Sequence, residues 1–308
     1  MNGLDLAERY FQEVGLPMLS ENFGPHVERI AAGLVGDGSE CFGFDDSISR
    51  DHDWGPGFCV WLAKEDYPVL AENVQKALDG LPQTFEGYGP RRTSTWGEGR
   101  VGVFETSSFY KRFLGLDHIP KELDEWLMLP ENALAACTNG RVFRDPLGEF
   151  SAWRDALKAF YPEDVRRKKI AARCMTIGQA GQYNLPRCVQ RGESFCVQYA
   201  ETKFCADVIS VVFLLNRRYT PFYKWMHRAV NDLPILGGWI HEGITGLIAE
   251  PDVARKEEKV EEICAALIQE FAGQGLSGHT SSFLPDHGPV IQETIVESRL
   301  RQRNVWVG

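Results

Sequence analysis

The feature that most constrains the fold of this chain is a change in apolar periodicity near residue 119. Before it, helical and strand periods alternate. Residues 3–15 carry a helical stripe of Leu4, Leu6, Tyr10, Phe11 and Val14, and 17–33 read as a second helix with Phe23, Val27, Ile30 and Ala31 inward. Residues 51–63 read as a strand interrupted by Gly55-Pro56-Gly57, and 65–79 as a helix with Tyr67, Leu70, Val74 and Leu78 on one face. Short strands are expected at 83–88 and 100–106, with a hairpin loop between them. After residue 119 the segments 119–128, 131–138, 149–160, 163–182, 192–216, 219–230 and 252–272 all have helical spacing, with prolines between them. Only 141–145 reads as a strand there. The expectation is an α+β protein: a small mixed-sheet core in residues 1–118, followed by an all-helical bundle domain in 119–308. The boundary falls within 115–150.

With 308 residues, 44% of them apolar and 25% charged, the chain has the composition of an ordinary globular protein with a sizeable core. The net charge of −10 argues against a protein that coats a polynucleotide, because no basic excess exists to neutralise a phosphate backbone. Eight cysteines without a Cys-x-x-Cys pair are expected to be reduced and mostly buried, as in a cytoplasmic protein, with zinc the weaker reading. The N-terminal stretch lacks the apolar run of a signal peptide. No stretch reaches 18 uninterrupted apolar residues, so no membrane span is expected.

Chemistry concentrates in residues 34–56, LVGDGSECFGFDDSISRDHDWGP. A turn at Gly38 and Ser39 would let backbone N–H groups approach a phosphate closely. Asp51 and Asp53 are two apart, so on a strand they share a face and could hold a common cation, while His52 turns toward the core. Asp-His-Asp alone better suits a solvated strand end, and the upstream Gly38-Ser39 is what favours a site. Asp37, Glu40, Asp45 and Asp46 add negative charge nearby, which is costly without a neutralising cation.

Gly-Ser, this spacer and then Asp-x-Asp resembles the signature of the nucleotidyltransferase superfamily, the polymerase-beta-like enzymes. The longer string GDGSECFGFDDSISRDHDWGP is similar to a bacterial branch with a C-terminal helical domain, as are EWLMLPENAL, VFRDPLGEF, FYPEDV and LLNRRYTPFYKW. The resemblance implies a nucleotidyltransferase-like core. It implies that Gly38 and Ser39 bind the phosphates of a nucleoside triphosphate, ATP first among them, and that Asp51 and Asp53 bind Mg²⁺ or Mn²⁺. It also implies a third carboxylate on a neighbouring strand. Glu105 is the choice here and Glu86 the competitor, against the plain reading of a surface glutamate at a strand end.

The helical domain would form the other wall of the cleft and supply cations for the triphosphate. Lys224 is the first choice, with Tyr219 or Tyr223 stacking on base or sugar and Arg187 with Arg191 as a second cationic pair. A capped helix junction with inward aromatics is an equal alternative for that segment. The run Arg166, Arg167, Lys168, Lys169 reads as a solvated helix face. The loop 275–289, with His279, Asp286 and His287, reads as a surface loop. No nucleophile elbow and no Walker-type loop is present. The expected function is metal-dependent transfer of a nucleoside monophosphate to a small-molecule acceptor. The alternatives are a hydrolase or lyase on the same fold, or a catalytically silent ligand-binding or antitoxin-like module. The sequence does not indicate an oligomeric state.

Overall fold

The structure, a computed structural model, describes residues 1–92, 94 and 99–308. Thr93 and residues 95–98, within the expected hairpin loop, lie outside the described residues. The protein is α+β and rich in helix. It divides into two compact units, Met1–Ile119 with Ala133–Ala159, and Pro120–Asn132 with Phe160–Gly308.

The expected boundary at 118/119 therefore needs correction, because residues 133–159 return to the first unit. The cause is strand pairing and ring packing. The strand expected at 141–145 forms as β4, Arg141–Arg144, and pairs antiparallel with β1, Ala31–Leu34. Behind it, the Phe150 ring stacks on Trp61 at 3.7 Å, and Trp153 stacks on Tyr110 at 4.7 Å.

The first unit is built on a four-stranded mixed sheet of order β3-β2-β1-β4. Strand β2, Cys59–Leu62, is antiparallel to β1 and parallel to β3, Gly102–Glu105. Alternate side chains of β2 go to opposite faces. Val60 and Leu62 join Ala32, Tyr10, Phe11, Leu19, Leu70 and Val74 in one core. That face is covered by the helices Gly3–Tyr10, Leu16–Phe23 and Tyr67–Asp79. Trp61, pointing the other way, is covered by Phe109 and Phe150.

Three local expectations change. The helix expected over 17–33 ends at Phe23, because Gly24 takes φ +44 and Pro25 follows; Ile30 then leads into β1. The strand expected over 51–63 is only Cys59–Leu62. Ahead of it Asp53 adopts φ +54 and Pro56 has no N–H to donate, so the segment bends and cannot pair. The strand expected at 83–88 reduces to one bridge between Phe85 and Tyr88, and β3 pairs with β2 rather than closing a hairpin with it.

The second unit is helical. Its helix Glu163–Ile177 packs against Ser194–Leu215 and His287–Glu293. This placement overturns the solvated reading of the basic run. Arg166, Lys168 and Lys169 are at most 4% exposed. Arg166 donates to Glu163 at 2.8 Å, and Lys168 Nζ donates to Gln292 at 2.5 Å and to the Asn304 carbonyl at 2.8 Å. The last residues of the chain cover this face and supply the acceptors that make burial tolerable. His287 is wholly buried: its Nδ1 lies 2.9 Å from Ser277 Oγ and its Nε2 2.8 Å from the Ser281 carbonyl, so it ties down the 275–289 segment. Among the described residues, no helix is long and apolar enough to cross a membrane.

Candidate functional site

Antiparallel pairing of β1 and β2 puts the C-terminal end of β1 beside the N-terminal approach to β2. The Gly38-Ser39 turn leaves that edge four residues after β1, and Asp53 precedes β2 on the same edge. A Cβ at Gly38 would lie 2.4 Å from the buried Glu40 carboxylate, so that side chain would have to shift from its pairing with Arg91. Arg91 ties the two segments together. It donates to Glu40 Oε1 at 3.0 Å, to the Asp53 carbonyl at 2.9 Å and to the Gly55 carbonyl at 3.3 Å. Its Nε is buried without a partner among the described residues. A cavity of about 320 Å³ opens beside this edge, lined among others by Gly57, Phe58, Gln75, Arg91 and Gly102. Gly38, Ser39, Asp51 and Asp53 are not part of its lining.

The carboxylates are arranged differently from the expectation. Asp51 and Asp53 lie on a bend, not on a strand, and do not share a face. Asp51 is exposed and holds His52 Nδ1 at 2.7 Å, so His52 is an exposed residue rather than a core histidine. Asp53 is buried, and Ser94 donates to both its oxygens, from N at 2.9 Å and Oγ at 2.5 Å; Arg100 stands 3.6 Å away. Burial opposes ionisation of Asp53, but the Ser94 hydrogen bonds and Arg100 outweigh it and hold the carboxyl below the usual range.

Glu105 does not join them. In the parallel β2–β3 register Glu105 sits beside Leu62, at the far end of the strands, about 10 Å along them from the Asp53 edge. There it caps the helix Thr106–Leu114, accepting from the N–H groups of Ser107 at 2.9 Å and Ser108 at 2.8 Å. Burial opposes its ionisation, and the hydrogen bonds from Ser108 and Ser107 outweigh this and keep its pKa low. Glu86, the competitor, pairs with Arg9. Among the described residues, no three His, Cys, Asp or Glu side chains converge as a metal site.

The residues expected to meet the triphosphate from the helical domain lie against aromatic rings. Tyr219 packs on the rings of Phe160 and Tyr161 at 4.9 and 5.1 Å. Arg187 lies over the Tyr183 ring at 4.0 Å. Lys224 is exposed, with its Nζ 4.8 Å from the Trp225 ring centre. Tyr223, which is 75% exposed, lines a cavity of about 650 Å³ within the second unit.

Sequence reasoning missed that cavity. Its polar wall includes Glu131, Lys169, Arg173, Asp207, Ser210 and Thr220. Lys169 and Arg173 are one helical turn apart on the helix Glu163–Ile177. Glu131 accepts from Arg173 at 3.2 Å, from Ser210 at 3.0 Å and from Thr220 at 2.7 Å. Asp207 pairs with Lys203 and lies 3.9 Å from Arg173 Nε. Lys169 Nζ has no hydrogen bond or ion pair among the described residues; it sits 5.1 Å from the centre of the Tyr161 ring. Burial pushes its pKa down to about 8; Glu131 pulls it up and Arg173 adds to the fall. The only signal for this site was four basic residues in a row immediately before the apolar Ile170-Ala171-Ala172, and the same pattern fits a helix with one wet face.

A family model described as a domain of unknown function, DUF4037, matches residues 126–226. The match contains all six of those polar wall residues. No curated protein and no solved structure matches the chain.

Proposed function

We propose that the protein binds a nucleoside triphosphate at the sheet edge of its first unit and transfers a nucleotidyl group to a small-molecule acceptor. The observation that carries this reading is the common edge: the Gly38-Ser39 turn and the Asp53 bend lie together there, joined through Arg91. A turn that has no Cβ at Gly38, beside a buried guanidinium, is a suitable place for a phosphate to meet backbone N–H groups.

The carboxylates present do not fit a shared Mg²⁺ or Mn²⁺ as they stand, because Asp53 is fully engaged by Ser94 and Asp51 faces solvent. The contribution of the chain is to seat the triphosphate and to exclude water around it. The engaged state of Asp53, together with Glu105 acting as a helix cap, favours a second reading: a module that binds the nucleotide and does not transfer it.

Thermal unfolding with ATP, with and without Mg²⁺ or Mn²⁺, tests both. ATP at 100 times its Kd should stabilise the protein by about 2.7 kcal/mol. Gly38→Val should remove that response, since its side chain would meet Glu40. Release of pyrophosphate with an acceptor supports transfer, and a shift without release supports the binding module. If no triphosphate shifts the unfolding temperature with either cation, both readings fail.

A further inference from the structure

Four charged side chains line the cavity of the second unit, Glu131 and Asp207 with Lys169 and Arg173, and Gly308 beside them accepts from Arg173 at 2.9 Å. Glu131 is matched by Arg173, with Ser210 and Thr220 completing its hydrogen bonds, and Asp207 is matched by Lys203. Of the four, Lys169 alone makes no hydrogen bond or ion pair among the described residues; it is 4% exposed, lines the cavity, and lies against the face of the Tyr161 ring. The attraction of a ring face for an ammonium falls well short of what burying one costs. A buried cation in that position is completed by an anion entering from the cavity. The wall also has an apolar part: Leu127, Leu129, Pro221, Phe222 and Met226 lead to a mouth where Tyr223 is 75% and Met128 71% exposed. The volume of about 650 Å³ is that of a small-molecule site.

We propose that this cavity binds a small organic anion, with a carboxylate or phosphate headgroup on Lys169 and an apolar body against Phe222, Tyr223 and Met226. Thr220 and Ser210 hold Glu131 on Arg173, so that this glutamate is not free to take Lys169 for itself. The proposal does not rest on the nucleotide reading, which concerns residues of the first unit.

The test uses the full chain and four probes: benzoate, phenyl phosphate, inorganic phosphate and benzylamine. Titration calorimetry should show binding of benzoate or phenyl phosphate, and which of the two binds tighter identifies the headgroup. Inorganic phosphate should bind at least about tenfold more weakly than phenyl phosphate, because it lacks the apolar body. Benzylamine, similar in shape and opposite in charge, should not bind. Lys169→Met keeps the length of the side chain and removes the charge, and should weaken the anions at least about tenfold. Met226→Glu, outside the buried ion network, should do the same by repulsion and keeps the test intact if Lys169→Met does not fold. The proposal is overturned if neither organic anion binds, if benzylamine binds as well as they do, or if a folded variant of either kind binds them as the wild type does.

Discussion

At the scale of single residues, the partners that hold a carboxylate predict its pH response. Glu163 is the clearest case. Burial opposes its ionisation, but hydrogen bonds from Arg166, Arg217 and Arg167 outweigh that and bring its pKa to about 2, below the ordinary 4.5. A carboxyl depressed in the folded state stabilises the protein above its unfolded pKa, and loses that contribution as pH falls through the folded value. Glu163→Gln should therefore cost about 1 kcal/mol at pH 7, a modest amount because the carboxylate is one third exposed. The difference in melting temperature between wild type and variant should shrink as pH falls from 4.5 toward 2. A gap that stays constant over that range would show that the arginines do not set the pKa. Asp53 follows the same sign, held by Ser94 and Arg100. Asp53→Ala would remove the acceptor of the part-buried Ser94 N–H and hydroxyl and should cost about 1–3 kcal/mol, measured by urea unfolding.

At the scale of elements, the first unit is held by two unequal faces of one short sheet. One face is aliphatic and aromatic, from Ala32, Val60, Leu62 and the helices over them. The other depends on a few large rings: Trp61 between Phe109 and Phe150, and Tyr110 on Trp153. Phe150 is wholly buried in that stack. Phe150→Ala should cost about 3–5 kcal/mol, read as a lowered urea midpoint with an unchanged slope. A cost below 1 kcal/mol would mean that the Trp61 face is not a cooperative part of the core. The same element scale explains Glu105. A glutamate at the end of a strand that runs directly into a helix is in place to cap that helix, and the two serine N–H groups take it.

At the scale of the whole molecule, the chain leaves its first unit at Ile119 and comes back to it between Ala133 and Ala159. A fragment ending at residue 118 lacks β4, Phe150 and Trp153, and should show no cooperative thermal transition by circular dichroism. A sharp transition in that fragment would contradict the division. Much of this architecture was legible locally. The helices at 65–79, 131–138 and 252–272 and the strands at 100–106 and 141–145 follow from periodicity, because each presents one apolar face at a regular spacing. The site was less legible. Spacing two apart places Asp51 and Asp53 together only on a regular strand, and the positive φ of Asp53 removes that regularity. The basic run 166–169 looked solvated because its acceptors, Gln292, Thr294 and Asn304, lie more than a hundred residues away. By itself the sequence determined the α+β class, most of the elements and the concentration of acid and glycine between residues 36 and 53, since these depend on local period and composition. The tertiary structure alone decided which carboxylates meet, which strand closes the sheet and which lysine is buried without a partner, because each of these depends on what distant segments bring to the same place.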